Sequence, residues 1–201
     1  MTTYAYPTLS RPPSSITWGL NDYGEVNRSP IHSNAQVMMR PGTFWHLDLS
    51  YDQLGQADAR LFEAFLLKLR GKGNRALIPD FSRLSPNGSA GGSPLLKVQA
   101  DPGDSILHTH GWTISSTGVL LEGDRIQVGN NFSMVTSQVD SDALGEMIIP
   151  IRPAISVIEV VSEPIITVNA ACRFMLDTNP IQWTVSGSDM SVSVSFVENH
   201  V

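Results

Sequence analysis

Residues 44–79, FWHLDLSYDQLGQADARLFEAFLLKLRGKGNRALIP, decide the fold. Trp45, Leu47, Leu49 and Tyr51 alternate with His46, Asp48 and Ser50. A period of two puts the first set on the buried face of a β-strand and the second in water. Past Leu54-Gly55 the period changes. Leu61, Phe62, Phe65, Leu66 and Leu69 form an apolar stripe along one side of a helix over about 56–71. Asp58 in the first turn and Lys68 and Arg70 in the last suit the helix dipole. Gly71 and Gly73 stop it, since glycine reaches the left-handed cap without a Cβ clash. Arg75–Ile78 resumes extended chain, and Pro79 closes it. No second amphipathic helix is legible, so the stripe must lie on a sheet.

Upstream, residues 1–35 are rich in Pro, Ser, Thr and Asn, and read as an extended arm. Ile16, Trp18 and Leu20 alternate there and predict one short strand. An indole in so polar a segment points either to docking on a neighbour or to a first strand packed at home. Gln36–Arg40 reads as extended, and Pro41-Gly42 as a turn into the opening strand. Downstream, Ser82–Ser93 holds Asn87-Gly-Ser and Gly91-Gly92 and predicts a long exposed loop. From Leu95 onward, short strands recur every 8 to 12 residues with turns between, the spacing of a barrel or sandwich. Ile126, Val128, Met134, Val139, Ile148 and Ile158 are expected to line that core. Val192, Val194 and Phe196 alternate with Ser191, Ser193 and Ser195, marking a strand with one wet face. The predicted class is mainly β (α+β), with sandwich or barrel halves and one helix packed on a sheet. The expected organisation is an arm over 1–35, a sheet with the helix over 36–100, and a small all-β barrel or sandwich over 101–201.

Composition narrows function. A chain of 201 residues can bury roughly 70% of its unfolded surface without disulfides. It carries 13 Lys plus Arg and a net charge of −6, no electrostatic footprint for a phosphate backbone, so nucleic acid is not an expected partner. No apolar run is long enough for a bilayer-spanning helix. The opening Met1-Thr-Thr-Tyr lacks a basic segment followed by an apolar core, so no signal peptide and synthesis in a cytoplasm are expected.

Motifs for chemistry are thin. His108-Thr-His110 would point two imidazoles to one side of a strand, and zinc would need a third ligand. Asp124, Asp140 and Asp142 lack the glycine and closing glutamate of a calcium loop, and Ser141–Gly145 reads better as a hairpin turn. Cys172 is the one cysteine and reads as a buried small hydrophobe. No nucleophile elbow, zinc-protease helix or phosphate loop occurs. No catalytic residue, cofactor site or metal site is assigned, and the chain is expected not to be an enzyme.

A series of short stretches, in order, carries a resemblance. They are Met1-Thr-Thr-Tyr-Ala-Tyr-Pro, Trp18-Gly-Leu, Arg40-Pro-Gly-Thr-Phe-Trp45, Phe62-Glu-Ala-Phe-Leu-Leu-Lys-Leu-Arg-Gly71 and Asn74-Arg-Ala-Leu-Ile-Pro-Asp80, followed by Leu120-Leu-Glu-Gly-Asp-Arg-Ile-Gln127, Ile149-Pro-Ile-Arg-Pro153 and Cys172-Arg-Phe-Met-Leu176. Together they span nearly the whole chain, which resembles the bacteriophage distal tail proteins of the tail tip and baseplate. The resemblance implies a structural, ring-forming subunit of the virion, located at the tail tip and made in the host cytoplasm. It would link the tail tube to baseplate hub or receptor-binding tip proteins, and a hexamer would match tail-tube symmetry. Its contact residues would come from the arm (Tyr4, Tyr6, Trp18) and the glycine-rich loop (Asn87, Gly88, Gly91), with the first half facing the tube-like ring. Removal of residues 1–15 is then expected to weaken assembly and leave the monomer folded. The alternative is a carbohydrate- or receptor-binding β module, with Trp18, Trp112 and Trp183 as stacking platforms.

Overall fold

The computed structural model describes residues 1–28, 35–39 and 42–200. Pro30, one of the prolines that break the arm, Arg40, the end of the predicted extended stretch, and Pro41, the first residue of the predicted turn, lie outside the described residues. The elements in chain order are β1 (Thr3–Ala5), β2 (Ser15–Asn21), β3 (Gly24–Arg28), β4 (Ala35–Met39), β5 (Phe44–Leu54), α1 (Gln56–Leu69), β6 (Arg75–Pro79), β7 (Gly92–Leu96) and β8 (Ile106–Trp112). They continue as β9 (Arg125–Val128), β10 (Asn131–Val135), β11 (Met147–Arg152), β12 (Ile165–Ile166), β13 (Ala171–Leu176), β14 (Trp183–Ser186) and β15 (Asp189–Glu198). The protein is mainly β with one α-helix among the described residues. No helix there is long and apolar enough to cross a membrane.

β5, α1 and β6 are the strand, helix and strand read from residues 44–79. On α1 the buried arc is Ala59, Phe62, Phe65, Leu66 and Leu69. Leu61, predicted in the stripe, is 51% exposed, because it falls outside the arc that these five define. Arg70, one residue before the predicted Gly71, takes the left-handed cap at φ 50°. Asn74 then satisfies two carbonyls of the last turn: its backbone N–H donates to Leu69 O and its Nδ2 to Lys68 O.

α1 lies over an open sheet ordered β1-β6-β13-β15-β5-β2, with β14 alongside β15. Every pairing in it is antiparallel except β1 with β6. Alternation on β5 (Trp45, Leu47, Leu49, Tyr51) and on β15 (Met190, Val192, Val194, Phe196) turns both apolar rows into the core that receives the helix. The last strand of the chain thus sits in the middle of the first sheet. Residues 101–201, read as one body, contribute strands to both sheets: period two identifies a half-buried strand without naming its partner.

The second sheet runs β12-β9-β10-β11-β8-β7. Its ends meet: Leu96 N–H donates to Glu163 O, Ser162 N–H to Leu96 O, and Ala100 and Glu159 exchange both backbone bonds. The sheet therefore closes into a barrel-like body around Leu107, Trp112, Ile126, Val128, Val135, Met147, Ile149 and Ile151. Of the predicted core, Ile126, Val128 and Val139 are inside. Ile148 and Ile158 are not, at 58% and 51% exposed. On β11, Met147, Ile149 and Ile151 take the inward parity, which sends Ile148 out. Met134 shares parity with Phe132, and both turn toward the open sheet's core.

The predicted arm is only partly an arm. β1 pairs along β6, and Tyr6 packs among Phe62, Phe65 and Phe81 at centroid distances of 6.1, 5.4 and 5.1 Å. Ser10 bonds Asp58, and Ser14 N–H donates to Ser50 O. Residues 1–14 run across the molecule from one sheet edge to the other. Deleting residues 1–15 would remove a strand and a core aromatic, so the folded truncated monomer expected from sequence is not consistent with this packing.

Candidate assembly surface

One two-stranded element is exposed along its length among the described residues. β3 and β4 pair as a two-stranded ribbon (Gly24↔Met39, Val26↔Val37, Arg28↔Ala35) that belongs to neither large sheet. It extends the β2–β5 hairpin beyond Asn21 and Phe44, with Tyr23 packed on Phe44 at its root. Directly paired residues share a face, so Val26, Arg28, Ala35 and Val37 lie on one side, and Glu25, Asn27, Gln36 and Met38 on the other. Every residue of β3 is exposed, with Val26 at 55% and Val37 at 59%. A ribbon of two strands is marginal in water on its own.

Among the described residues, three strands of the open sheet pair on one side alone: β1, β2 and β14. Unpaired edge N–H and C=O groups are a template for another chain. The barrel offers no such edge, because β7 and the 159–164 segment close it.

The residues picked from sequence as contacts are tied inside the chain. Tyr4 sits in β1, half-buried against the open sheet's core. Tyr6 hydroxyl bonds Tyr51 hydroxyl; burial pushes Tyr6 far up, and Tyr51 up to about 12. Trp18 stacks on Phe132 at 5.6 Å and meets Trp45 edge-on at 5.8 Å, so of the two sequence readings, packing at home is the observed one. The loop holding Asn87 and Gly88 is clamped by Asp124, 2% exposed, whose carboxylate accepts the N–H groups of Asn87, Gly88 and Leu121. Gly88 is needed there, because a Cβ would collide with the Val119 carbonyl. Gly91 O accepts from Thr113 N–H.

The candidate chemistry falls out similarly. His108 and His110 do share one face of β8, but no group of three or more His, Cys, Asp or Glu among the described residues is placed to hold a metal. Asp142 accepts from Leu144 and Glu146 N–H, as its hairpin-turn reading requires, and these bonds hold its carboxyl low. Of the three tryptophans considered as stacking platforms, Trp112 is 4% exposed and donates to Thr109, whereas Trp183 is 39% exposed.

Sequence reasoning missed a polar seam between the two sheets. Arg125, on barrel strand β9, is 5% exposed and lies 3.2 Å from Asp80, at the end of β6. Its guanidinium sits 4.4 Å from the Trp45 ring centroid and 5.5 Å from those of Trp18 and Phe132. Burial pulls its pKa down. Beside it Glu198 accepts from Trp45 N–H and from the Cys172 thiol, and burial pushes its carboxyl up to about 7. Cys172 is fully buried and its pKa is raised, the state of an inert structural thiol. His200 Nε2 lies 3.4 Å from Glu198, and burial pulls the imidazole down. Nothing in a spacing of 45 residues (80 to 125) announces that ion pair. Gln127 was legible as a strand residue, but its side-chain bond to Ala171 N–H, which also joins the two sheets, was not.

No family model matches this chain, and no curated protein matches it.

Proposed function

We propose that this chain is a self-assembling structural subunit: a ring-forming adaptor of the distal tail kind, joining a tail tube to baseplate or receptor-binding tip proteins in a virion. The observation that supports the reading is the exposed β3–β4 ribbon, rooted in a sheet whose β1, β2 and β14 pair on one side alone among the described residues. A lone monomer leaves the ribbon's Val26–Val37 face in water at a cost, and a neighbour removes that cost. The ordered resemblance along the sequence supplies the tail context, the self-partner and the number six. The protein then works by shape and edge contact, with the barrel as a rigid attachment on each subunit.

Light scattering on a size-exclusion column, with negative-stain images of the peak, tests this. The expected result is a closed ring, six copies in the tail reading, appearing alone or on addition of tube and hub proteins. A strictly monomeric chain under both conditions contradicts it. So does turnover of a substrate that vanishes on changing a single His, Asp or Cys.

A further inference from the structure

Asn87-Gly88 is the single Asn-Gly step in the chain. In such a step the glycine nitrogen can attack the asparagine side-chain amide, because no side chain on the glycine hinders it. The Gly88 N–Cγ bond forms, the Asn87 Cγ–Nδ2 bond breaks, and the Gly88 amide proton leaves on ammonia. Water then opens the succinimide to an aspartyl or an isoaspartyl link. Water is the only co-reactant, and Asn87 is exposed to it.

Two features of the fold act on this reaction in opposite senses. Packing dictates the glycine: a Cβ at residue 88 would meet the Val119 and Gly118 carbonyls. The least hindered nucleophile therefore follows an exposed asparagine. The same nitrogen is held, however. Gly88 N–H donates to Asp124 Oδ2 at 3.2 Å, Asn87 N–H to Oδ1 at 2.7 Å, and Ser89 N–H to Gly118 O at 2.9 Å. Asp124 is 2% exposed. Taking the proton from Gly88 would set an amide anion beside a buried carboxylate, two like charges at hydrogen-bonding distance and poorly screened. Ring closure also requires the nitrogen to turn toward Asn87 Cγ, and the backbone of residues 118 and 119 leaves Gly88 no room to swing.

We propose that Asn87 is a deamidation site that the Asp124 clamp keeps latent in the folded chain, and that conversion with the clamp open is a one-way step. The isoaspartyl link adds one carbon to the main chain between the two N–H groups that Asp124 receives. It also leaves a new carboxylate on the loop beside that of Asp124, so the loop no longer seats on it. Asp124 is fastened to the barrel as well: its side chain accepts Leu121 N–H at 2.8 Å, and its carbonyl accepts Val135 N–H at 2.9 Å. Conversion at Asn87 therefore records an opening where β9 begins and β10 ends.

The test follows Asn87 by peptide mass and isoaspartyl content under mildly alkaline conditions. The folded full chain is compared with a free peptide of residues 83–93 in the same buffer. Conversion should be at least about tenfold slower in the folded chain, the factor that one hydrogen bond to a charged group amounts to. Equal rates overturn the latency. Asp124→Asn, checked for folding by circular dichroism, should bring the folded-chain rate toward that of the peptide, and a folded variant with the wild-type rate overturns the assignment to Asp124. If that variant does not fold, the wild type decides instead. Its conversion rate across low urea concentrations should rise in step with amide exchange at Asn87 and Gly88, and a rate independent of that exchange overturns the same assignment. Refolding reads the one-way step. Wild type held in urea until Asn87 is converted should not regain native amide exchange at β9 on dilution. Asn87→Gln keeps the backbone clamp and closes a ring far less readily, so it should regain native exchange after the same treatment. A converted chain that refolds as fully as this variant overturns the one-way step.

Discussion

The barrel of residues 92–166 and the open sheet that brackets it solve the edge-strand problem in opposite ways. The barrel joins its first and last strands through Leu96, Ala100, Glu159, Ser162 and Glu163, whose backbone bonds cross that seam. Among the described residues, the open sheet leaves β1, β2 and β14 paired on one side alone and adds a ribbon whose Val26, Val37 and Met38 are exposed. A sheet that is closed gains independence, and one left open keeps the capacity to add a chain. Under the proposed function, association falls to the open sheet, and the buried seam of Trp45, Phe132, Arg125 and Asp80 joins the barrel to it.

The sharpest way to break that comparison is to cut the seam. Phe132→Ala removes a ring, 1% exposed, that stands on a barrel strand but packs in the open sheet's core. The expected cost is about 3–5 kcal/mol. Denaturation followed by tryptophan fluorescence and circular dichroism should show both units lose stability together. A loss confined to one unit would mean the seam does not couple them. Leu96→Ala, at the barrel's closing strand and fully buried, should cost about 2–5 kcal/mol and loosen the barrel alone. Amide exchange would check this, with new exchange expected at β7 and residues 159–166 and none at β5 or β15.

Glu198 gives a pH-dependent handle on the seam. Its carboxyl is raised from an ordinary 4.5 to about 7 by burial. A raised acid binds its proton more tightly when folded, so its contribution is full below about pH 4.5 and is lost as pH rises toward 7. The loss is on the order of 3 kcal/mol at about 1.4 kcal/mol per unit. Glu198→Gln keeps an acceptor for Trp45 N–H and removes the titration. Its melting temperature should match wild type near pH 4.5 and exceed it at pH 8, and a parallel pair of pH profiles would contradict this. The lowered His200 acts oppositely, destabilising the fold as pH falls through its ordinary range, so the double variant with His200→Gln should be the flattest of all. The smallest effect is expected from Tyr6→Phe, which removes one hydroxyl from the Tyr6–Tyr51 pair while keeping the ring between Phe62, Phe65 and Phe81. About 1 kcal/mol is expected by chemical denaturation, placing the arm in the sheet's core by its bonding as well as its packing.

The legible parts of this fold are those where one face is wet. Residues 44–79 announce themselves by a period that changes from two to 3.6, and β15 by valines and a phenylalanine set against serines. The illegible parts depend on partners far away in sequence. Nothing local says that β13 and β15 return to β5 and β6, or that Leu96 closes on Glu163. Ile148 and Ile158 were assigned to the core by type, whereas side-chain parity decides. The ribbon is half visible: Gln36–Arg40 reads as extended, but Gly24–Arg28, with one valine among Gly, Glu, Asn and Arg, has no apolar row to mark it. Val26 and Val37 are legible as a pair only once the register is known. The seam was invisible because a buried Arg125–Asp80 pair reads in sequence as two ordinary charges.

Hydrogen exchange compared between the dilute monomer and the assembled protein tests the central claim most directly. The account predicts new protection at β3–β4 and along β1 and β2, with the barrel's β8 and β11 exchanging as before. New protection on β8 and β11, with the ribbon still exchanging freely, would contradict it.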